Sequence, residues 1–568
     1  MNSNWYIYNK RKNAKAISDK FGISPLMAIL LCNRDVTDEK EVSKMLSSDI
    51  NDINDEKLLP DIDKAVDILY QNIKDNKKIR IVGDYDIDGI CSTYILYETL
   101  KNIGANISYD IPDRILDGYG INNSIIDKAI NDKVELIVTC DNGIAAEEQI
   151  AYALENNIKV IVTDHHDVGE VPRSALAVVN PKREDLDAKY PFKEICGALV
   201  AFKMMLMLYD KYYANRQYII DNYLEFAMLA TIGDIMPLKD ENHIVVKVGL
   251  KKIKNTSNLG LKALFNISDL DLNVKDISTY HIGFIIGPLI NAAGRMDKAT
   301  IVLKLFLSKE TSEINEIANK LKELNDERKQ ITENGYKSAL SIIESDYKDD
   351  KVLVIYVEDA LEQIAGIIAG RIKEKYYKPT IVLTSTNNEN EAKASCRSIE
   401  SYDIYNALNK HKDLFIKFGG HKLAAGFSIQ KNNIDILRQR LNEECDLCDS
   451  DFVPKTNIDI EMPFYNFNLN YVEEINKLEP YGQGFSRPVF ATKEVTTQVK
   501  NIYGESRNIV QVSLSKDNHI NKGVAFTDSE PFIKKLDEKN NVLDILYYPK
   551  INEFNGIKNI EFNLIDYR

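Results

Sequence analysis

An apolar run, Ile79–Val82, leads directly into Gly83-Asp84-Tyr85-Asp86-Ile87-Asp88-Gly89. A short apolar run of this kind reads as a buried strand. In an extended backbone, residues two apart point the same way. The spacing therefore predicts three carboxylates crowded on one face where the strand ends, where they repel one another unless a cation is present. Two further runs end alike. Leu136–Cys140 meets Asp141-Asn142-Gly143, and residues 160–163 meet Asp164-His165-His166. Strands that stop in ligands restrict the fold, because open α/β sheets bind their ligands beyond the carboxyl ends of the strands. Carboxylates gathered with a histidine suit Mn²⁺ or Mg²⁺.

The chain has 568 residues, too many for one core, and three to four domains are expected. Residues 1–60 mix short helical patterns with a polar stretch. Across 61–305, strand-like runs alternate with helical stretches, the pattern of a parallel α/β sheet. Residues 306–348 contain no proline, and Ile314, Ile317, Leu321, Leu324 and Ile331 follow three-four spacing, which predicts one long connecting helix. A second α/β region, 349–452, carries strand-like runs at 352–357 and 380–384 and a glycine-rich stretch, FGGHKLAAGF, at 418–427. From 453 to 568, short strand-like runs alternate with turns at Tyr481-Gly482 and Asn555-Gly556, which suits a small β-barrel.

A hydrophobic share of 44% and a charged share of 28% describe an ordinary soluble globular chain. No apolar run approaches the roughly 18 residues of a membrane span. The stretch MNSNWYIYNKRKNAK lacks the apolar core of a secretory signal. Seven scattered cysteines fit a reducing cytoplasm. The net charge of −14 argues against broad duplex binding, while leaving room for a local basic groove.

Several readings of the acidic motifs compete. Asp84-x-Asp86-x-Asp88-Gly89 matches the first half of an EF-hand loop. That loop needs a glutamate at its twelfth position, which is Ile95 here, and a helix before it rather than a strand. Cys445-x-x-Cys448 has no second pair to complete a zinc site. No Walker A loop is present. Alone, Asp141-Asn142-Gly143 is a common turn, and Asp234, after the apolar run 227–232, is a cap residue. Together, Asp86, Asp88, Asp141, His165 and Asp234 could share two divalent ions, an arrangement that serves in-line displacement at phosphorus.

VGDYDIDGICST, VTCDNG, VTDHH and ATIGDIMPL, in that order, resemble the four metal-binding motifs of the DHH phosphoesterase superfamily. Within it the chain resembles the RecJ family of single-strand-specific 5′→3′ exonucleases of bacterial recombination and repair. IPDRILDGYGIN, NPK, GPLINAAGRMD, LNDERKQ, SCRSI, FGGHKLAAGFSI and LEPYGQGFSRPVF carry that narrower likeness over most of the chain. It implies a two-lobed DHH core with a parallel sheet, a DHH-associated α/β lobe joined by the long helix, and a C-terminal OB-type barrel. It implies Asp84, Asp86, Asp88, Asp141, His165 and Asp234 as metal ligands, with Mn²⁺ the usual ion and Mg²⁺ an alternative. His166 would contact the scissile phosphate beside the catalytic Asp84 and Asp141. Arg114, Arg397 and Ser398 would receive the 5′ phosphate, and Arg295 would touch the strand. Tyr119 would stack or wedge against a base, and Gly420 and His421 would let backbone approach the nucleotide chain. Single-stranded DNA is the implied partner, with a single-strand-binding protein and a helicase, for a monomeric enzyme. Two features depart from the pattern. Ala360, Leu361 and Gln363 stand where the family has a Trp, a polar residue and a Gly, and Phe485-Ser486 replaces Asn-Pro. The rival readings are a DHH phosphodiesterase for short RNA or cyclic dinucleotides, and a non-catalytic DNA-binding scaffold.

Overall fold

A computed structural model of the chain describes residues 3–114, 118–186, 189–386, 388–554 and 556–568. Residues 115–117 of IPDRILDGYGIN and Asn555 of the expected Asn-Gly turn lie outside the described residues. The chain forms two compact units. One comprises Asn9–Asn325 and Asn470–Pro488; the other comprises Met1–Tyr8, Asp326–Leu469 and Val489–Arg568.

The first unit is built on β1 (Ile79–Val82), α1 (Ile87–Asn102), β2 (Ile107–Asp110), β3 (Leu136–Cys140), β4 (Lys159–Thr163) and β5 (Ala177–Val179). The five strands run parallel in the order β2-β1-β3-β4-β5. Every residue of β1 and β3 is buried, as a parallel sheet covered on both faces requires. The chain leaves β1 for β2 on one side and returns to β3 on the other. That reversal opens a crevice at the carboxyl ends of β1 and β3. Helices α2 (Gly197–Tyr213) and α3 (Arg216–Gly233) follow. The first thirteen residues of α2 are all buried, so this helix is apolar all round and central. The one cation among those thirteen, Lys203, lies 2.7 Å from the equally buried Glu241 and donates to the Asn54 carbonyl at 2.6 Å. A single π-turn, Ile282–Ile286, runs into α4 (Gly287–Met296).

Residues 470–488, which the sequence places at the approach to the barrel, pack within this first unit. Phe485 is fully buried, the Leu238 amide donates to the Gln483 carbonyl at 2.8 Å, and His243 Nε2 donates to the Leu478 carbonyl at 3.1 Å.

The apolar three-four pattern forms one helix, α5 (Thr311–Ile342), and the division between the units falls inside it. In the second unit, β6 (Leu353–Tyr356), α6 (Glu362–Tyr376), β7 (Thr380–Ser385), β8 (Glu391–Arg397), β9 (Phe415–His421) and β10 (Ala424–Gln430) make a mixed sheet of order β9-β10-β8-β7-β6. The glycine-rich stretch becomes the hairpin β9–β10, with β9 at the sheet edge. Strands β11 (Phe490–Tyr503), β12 (Ile509–Lys516), β13 (His519–Phe526), β14 (Val542–Phe554) and β15 (Ile557–Tyr567) follow. They pair in the order β11-β12-β13-β15-β14, and β14 pairs again with β11. The sheet thus closes into a five-stranded barrel without the exposed edges of an open sheet. Near the other terminus, Asn4–Ile7 pairs in parallel with Lys455–Ile458 in the same unit.

Candidate metal centre

The carboxylates after β1 do not lie along an extended strand, as the alternation predicts. The strand stops at Val82, and α1 starts at Ile87 with Asp86 as its N-cap. Asp86 Oδ1 accepts from the amides of Asp88 and Gly89 at 2.9 and 3.1 Å. Capping won over strand continuation because the first-turn amides have no other partners. The three carboxylates therefore leave the chain from a loop, a cap and a first helical turn.

Asp88 points to the start of α2, where its two oxygens accept from the amides of Gly197 and Ala198, both at 2.7 Å. The positive end of a helix suits a carboxylate there. Asp88 Oδ2 also lies 3.5 Å from His165 Nε2. The same nitrogen is 3.1 Å from Asp141 Oδ1 and 3.7 Å from Asp234 Oδ2. Asp141 leaves β3 in the left-handed region, φ 61°, a conformation that Asp and Asn tolerate better than most residues. Asp234 is the C-cap of α3. Asp84, Asp86 and Asp141 bring ligand atoms within 4.8 Å of one another. So do Asp88, His165 and Asp234, and so do Asp141, His165 and His166. All six expected ligands, with His166, thus meet at the carboxyl ends of β1, β3 and β4.

The donor set fits divalent cations. Asp84 Oδ1 and Asp141 Oδ1 are buried without any hydrogen-bond partner, an arrangement that is costly for carboxylate oxygens unless a cation meets them. Burial, then the charge of Asp86, pushes Asp84 up to about 8. Burial, then Asp88 and Asp86, pushes Asp234 up to about 8 and Asp141 well above the carboxylate range. Burial lowers His165, keeping the imidazole neutral, the form that ligates metals.

His166 differs from its neighbour. Burial alone would lower it, but the 2.8 Å hydrogen bond from Nδ1 to Asp164 Oδ1, and the charges of Asp164 and Asp234, outweigh this and raise it to about 9. Asp164 also accepts from the amides of His165, His166 and Ile144. It orients the His166 ring and holds the His165 backbone, a role the sequence reading did not give it, although it directly precedes them. Asn142 was read only as a turn residue. Its side chain donates to the carbonyls of Val82 and Cys140 and accepts from the Ile121 amide, tying β1 and β3 to the loop before α-helical residues 123–131. Asn291 on α4 accepts from the Ile87 amide at 2.8 Å. No local signal marks this contact, because its partners lie 204 residues apart.

Around the mouth, the Arg114 guanidinium lies 4.9 Å from the centre of the Tyr85 ring. The half-exposed Tyr119 donates to the Asp141 carbonyl at 2.5 Å, and its ring packs edge-on against Tyr85 and His166. Arg295, at the end of α4, acts electrostatically on Tyr85. The remaining expected residues belong to the second unit. Arg397 pairs with Ala424 across β8–β10, and Ala424 pairs with His421 across β10–β9, so Arg397 and His421 share a row and a face. Gly420 is at φ 145°, where a Cβ would stand 2.5 Å from Ala425 Cα. Ser398 is buried, and its hydroxyl donates to the Tyr402 carbonyl at 2.7 Å, not to open surface.

Family models match three stretches: the DHH family N-terminal domain at residues 78–231, the DHHA1 domain at 349–446 and the RecJ OB domain at 458–566. A single-stranded-DNA-specific exonuclease RecJ from Haemophilus influenzae is 31% identical over 96% of each chain. A RecJ structure with Mn²⁺ from Thermus thermophilus covers 100% of this chain and 79% of its own at TM-score 0.80 and 24% identity, which speaks to the fold. A crystal structure of exonuclease RecJ bound to manganese is 30% identical at TM-score 0.58, covering 69% of this chain and 96% of its own.

Proposed function

The chain belongs to the RecJ family of single-stranded-DNA-specific exonucleases, and from that premise we propose that it hydrolyses single-stranded DNA from the 5′ end, releasing 5′-mononucleotides. One observation carries the reading: six ligands converge at the sheet's switch point, with two buried carboxylate oxygens that accept no hydrogen bond. Asp84, Asp86, Asp88, Asp141, His165 and Asp234 would hold two Mn²⁺ ions, or Mg²⁺ in their place. When bound, two such ions supply a Lewis acid for the phosphoryl oxygens and a nucleophile at neutral pH.

The residues of the chain do the rest. His166, kept charged by Asp164, donates to the scissile phosphate and offsets charge that develops there. Asp164 fixes the His166 imidazole and accepts from the His165 amide. Arg114 would receive the 5′ phosphate, Arg295 would touch the strand, and the Tyr119 ring would take a base. Arg397 and Ser398 would receive the 5′ phosphate, and Gly420 and His421 would let backbone approach the nucleotide chain; the shared row of Arg397 and His421 supports the two acting on one strand. The domain division follows the motifs: a 1–60 segment, a DHH domain to 305, the connecting helix to 348, a DHH-associated domain to 452 and the barrel. The reading makes the enzyme a cytoplasmic monomer working beside a single-strand-binding protein and a helicase. No helix of the described residues is long and apolar enough to cross a membrane.

The test is digestion with Mn²⁺ of single-stranded DNA labelled at the 5′ or the 3′ end, with a duplex control and an EDTA control. Early release of the 5′ label as a mononucleotide, with the duplex spared, is expected. Cleavage confined to oligomers of two to five nucleotides or to cyclic dinucleotides would overturn the reading.

A further inference from the structure

The chain is acidic, with net charge −14, yet the first unit contains a concavity of about 800 Å³ whose wall is cationic. Lys247, Lys251 and Lys254 line it from one face of Asp240–Lys252 and the turn that continues it. Lys477 and Arg487 line it from the returned segment 470–488. Three acids also line the concavity. Asp276 pairs with Lys254, and Glu479 lies 3.2 Å from Arg487. Five cations thus face three anions.

This arrangement is electrostatically unfavourable by itself. Like charges at i, i+4 on a helix repel, and Lys247 and Lys251 are so placed. Lys247 is half-buried, and burial, then Lys251, pushes its ammonium down to about 8. A polyanion would relieve both effects, and a concave wall focuses the field that attracts one.

A second feature adjoins the concavity. Thr279 lines it and donates to the Tyr481 carbonyl at 2.9 Å. The next residue, Tyr280, stacks on Phe284, with ring centres 5.2 Å apart. Tyr280 is 61% exposed and Phe284 is 73% exposed, so this stacked pair stands largely in water. Phe284 sits in the π-turn before α4, and such turns recur at functional sites. The same helical stretch packs toward the metal loop, since a Cβ on Gly294 would stand 2.4 Å from the Tyr85 carbonyl oxygen and one on Gly283 would touch Ile232 at 3.6 Å. Cations that follow a backbone beside exposed rings that take bases are what a single strand needs.

We propose that the groove of Lys247, Lys251 and Lys477, with the Tyr280–Phe284 pair at its edge, is a second single-stranded-DNA contact outside the metal centre. It binds the sugar–phosphate backbone of a longer substrate. The inference rests on the exonuclease reading, and the experiment separates the two.

Full-length protein carrying Lys251→Glu and Lys477→Glu, and a second variant, Phe284→Ala, would be compared with the parent in EDTA. Binding of a hexamer and of a thirty-nucleotide oligo-dT is measured by anisotropy across a salt series. Charge reversal should weaken binding of the long strand about tenfold or more. It should flatten its salt slope by at least about 1.4, since each phosphate contact on a single strand contributes roughly 0.7. Phe284→Ala should weaken it about fivefold or more, the lower range for losing one stacked base. Hexamer binding and Mn²⁺-dependent hexamer cleavage should stay at parent values. Equal long-strand affinity and slope in all three proteins would overturn the proposal and leave the groove to an acidic protein segment. Displacement of the long strand by inorganic phosphate at equal phosphate concentration would overturn it too, as a simple anion site. A parent that leaves single strands undigested would refute the exonuclease reading itself.

Discussion

Asp141 concentrates the conflict on which the centre is built. It is buried, left-handed and without a hydrogen bond at Oδ1, and it faces Asp88, Asp86 and Asp234. Asn keeps the shape and the left-handed tolerance while removing the charge. Asp141→Asn should therefore lower cleavage roughly a thousandfold, beyond the about 10–100-fold typical of losing a partner that only orients a ligand. Its melting temperature in EDTA should equal or exceed the parent's; a marked fall would mean that the carboxylate holds the fold rather than a cation. The neighbouring acids give a pH signature. In the metal-free chain, Asp84 and Asp234 titrate at about 8, against about 3.8 when unfolded. A raised pKa stabilises the fold below the unfolded value, and that stability is lost as pH rises through the folded one. Cations take over from those protons. The gap between melting temperatures with and without Mn²⁺ should widen from pH 5.5 to pH 8. A constant gap would place the bound ion elsewhere.

At the scale of elements, the centre depends on how closely α2 meets β3. A Cβ on Gly197 would stand 2.8 Å from Asp141 Cβ and 3.0 Å from its Cα, so Gly197→Ala must push the α2 terminus off Asp88 or move Asp141. Misplacement by about 1 Å can cost about 100-fold in rate. A loss of that size, with the Mn²⁺-induced rise in melting temperature reduced, is the expected outcome; parent-like kinetics would show that the junction yields without consequence. The returned segment 470–488 is anchored differently. Burial depresses His243 to about 4 while it donates to the Leu478 carbonyl. A depressed pKa gives stability that is present above about 6.5 and lost as pH falls toward 4, up to roughly 3 kcal/mol. Urea midpoints at pH 7 and pH 4.5 should differ more for the parent than for His243→Gln. Equal differences would exclude this histidine as a source of acid sensitivity.

At the scale of the whole molecule, the two termini meet in one unit. The only tryptophan, Trp5, donates from its indole to Asp566 Oδ2 at 2.9 Å, and the Arg568 guanidinium lies 4.1 Å from its ring centre. The same carboxylate accepts from the Ser3 hydroxyl. Asp566→Asn weakens this junction between the first strand and the last, far in sequence from every metal ligand. It should shift Trp5 emission to the red while leaving Mn²⁺-dependent cleavage within about twofold of the parent, since a single surface hydrogen bond contributes about 1 kcal/mol. Unchanged emission would mean that Arg568 and the parallel pairing hold the ring unaided.

What the chain determines locally was legible from the letters alone. Apolar runs that end in Asp84, Asp141 and His165 announced parallel strands with ligands at their tips, and three-four spacing announced α5, because these signals depend on periods of two and 3.6 residues. Four ordered motifs were enough to point to the family. The tertiary structure decided which atoms meet. Asp88 finds amides more than a hundred residues away, Asn291 reaches the metal loop from α4, and Ser398 donates its hydroxyl to the Tyr402 carbonyl. It also replaced the expected row of three carboxylates along a strand with a loop, a cap and a helical turn, because unpaired amides at a helix start compete for the same side chains. Composition could not place the basic groove, since net charge sums over a surface and only folding brings Lys247, Lys251 and Lys477 to one wall. Sequence spacing sets what each residue can do; the long-range approach of segments sets which residues do it together.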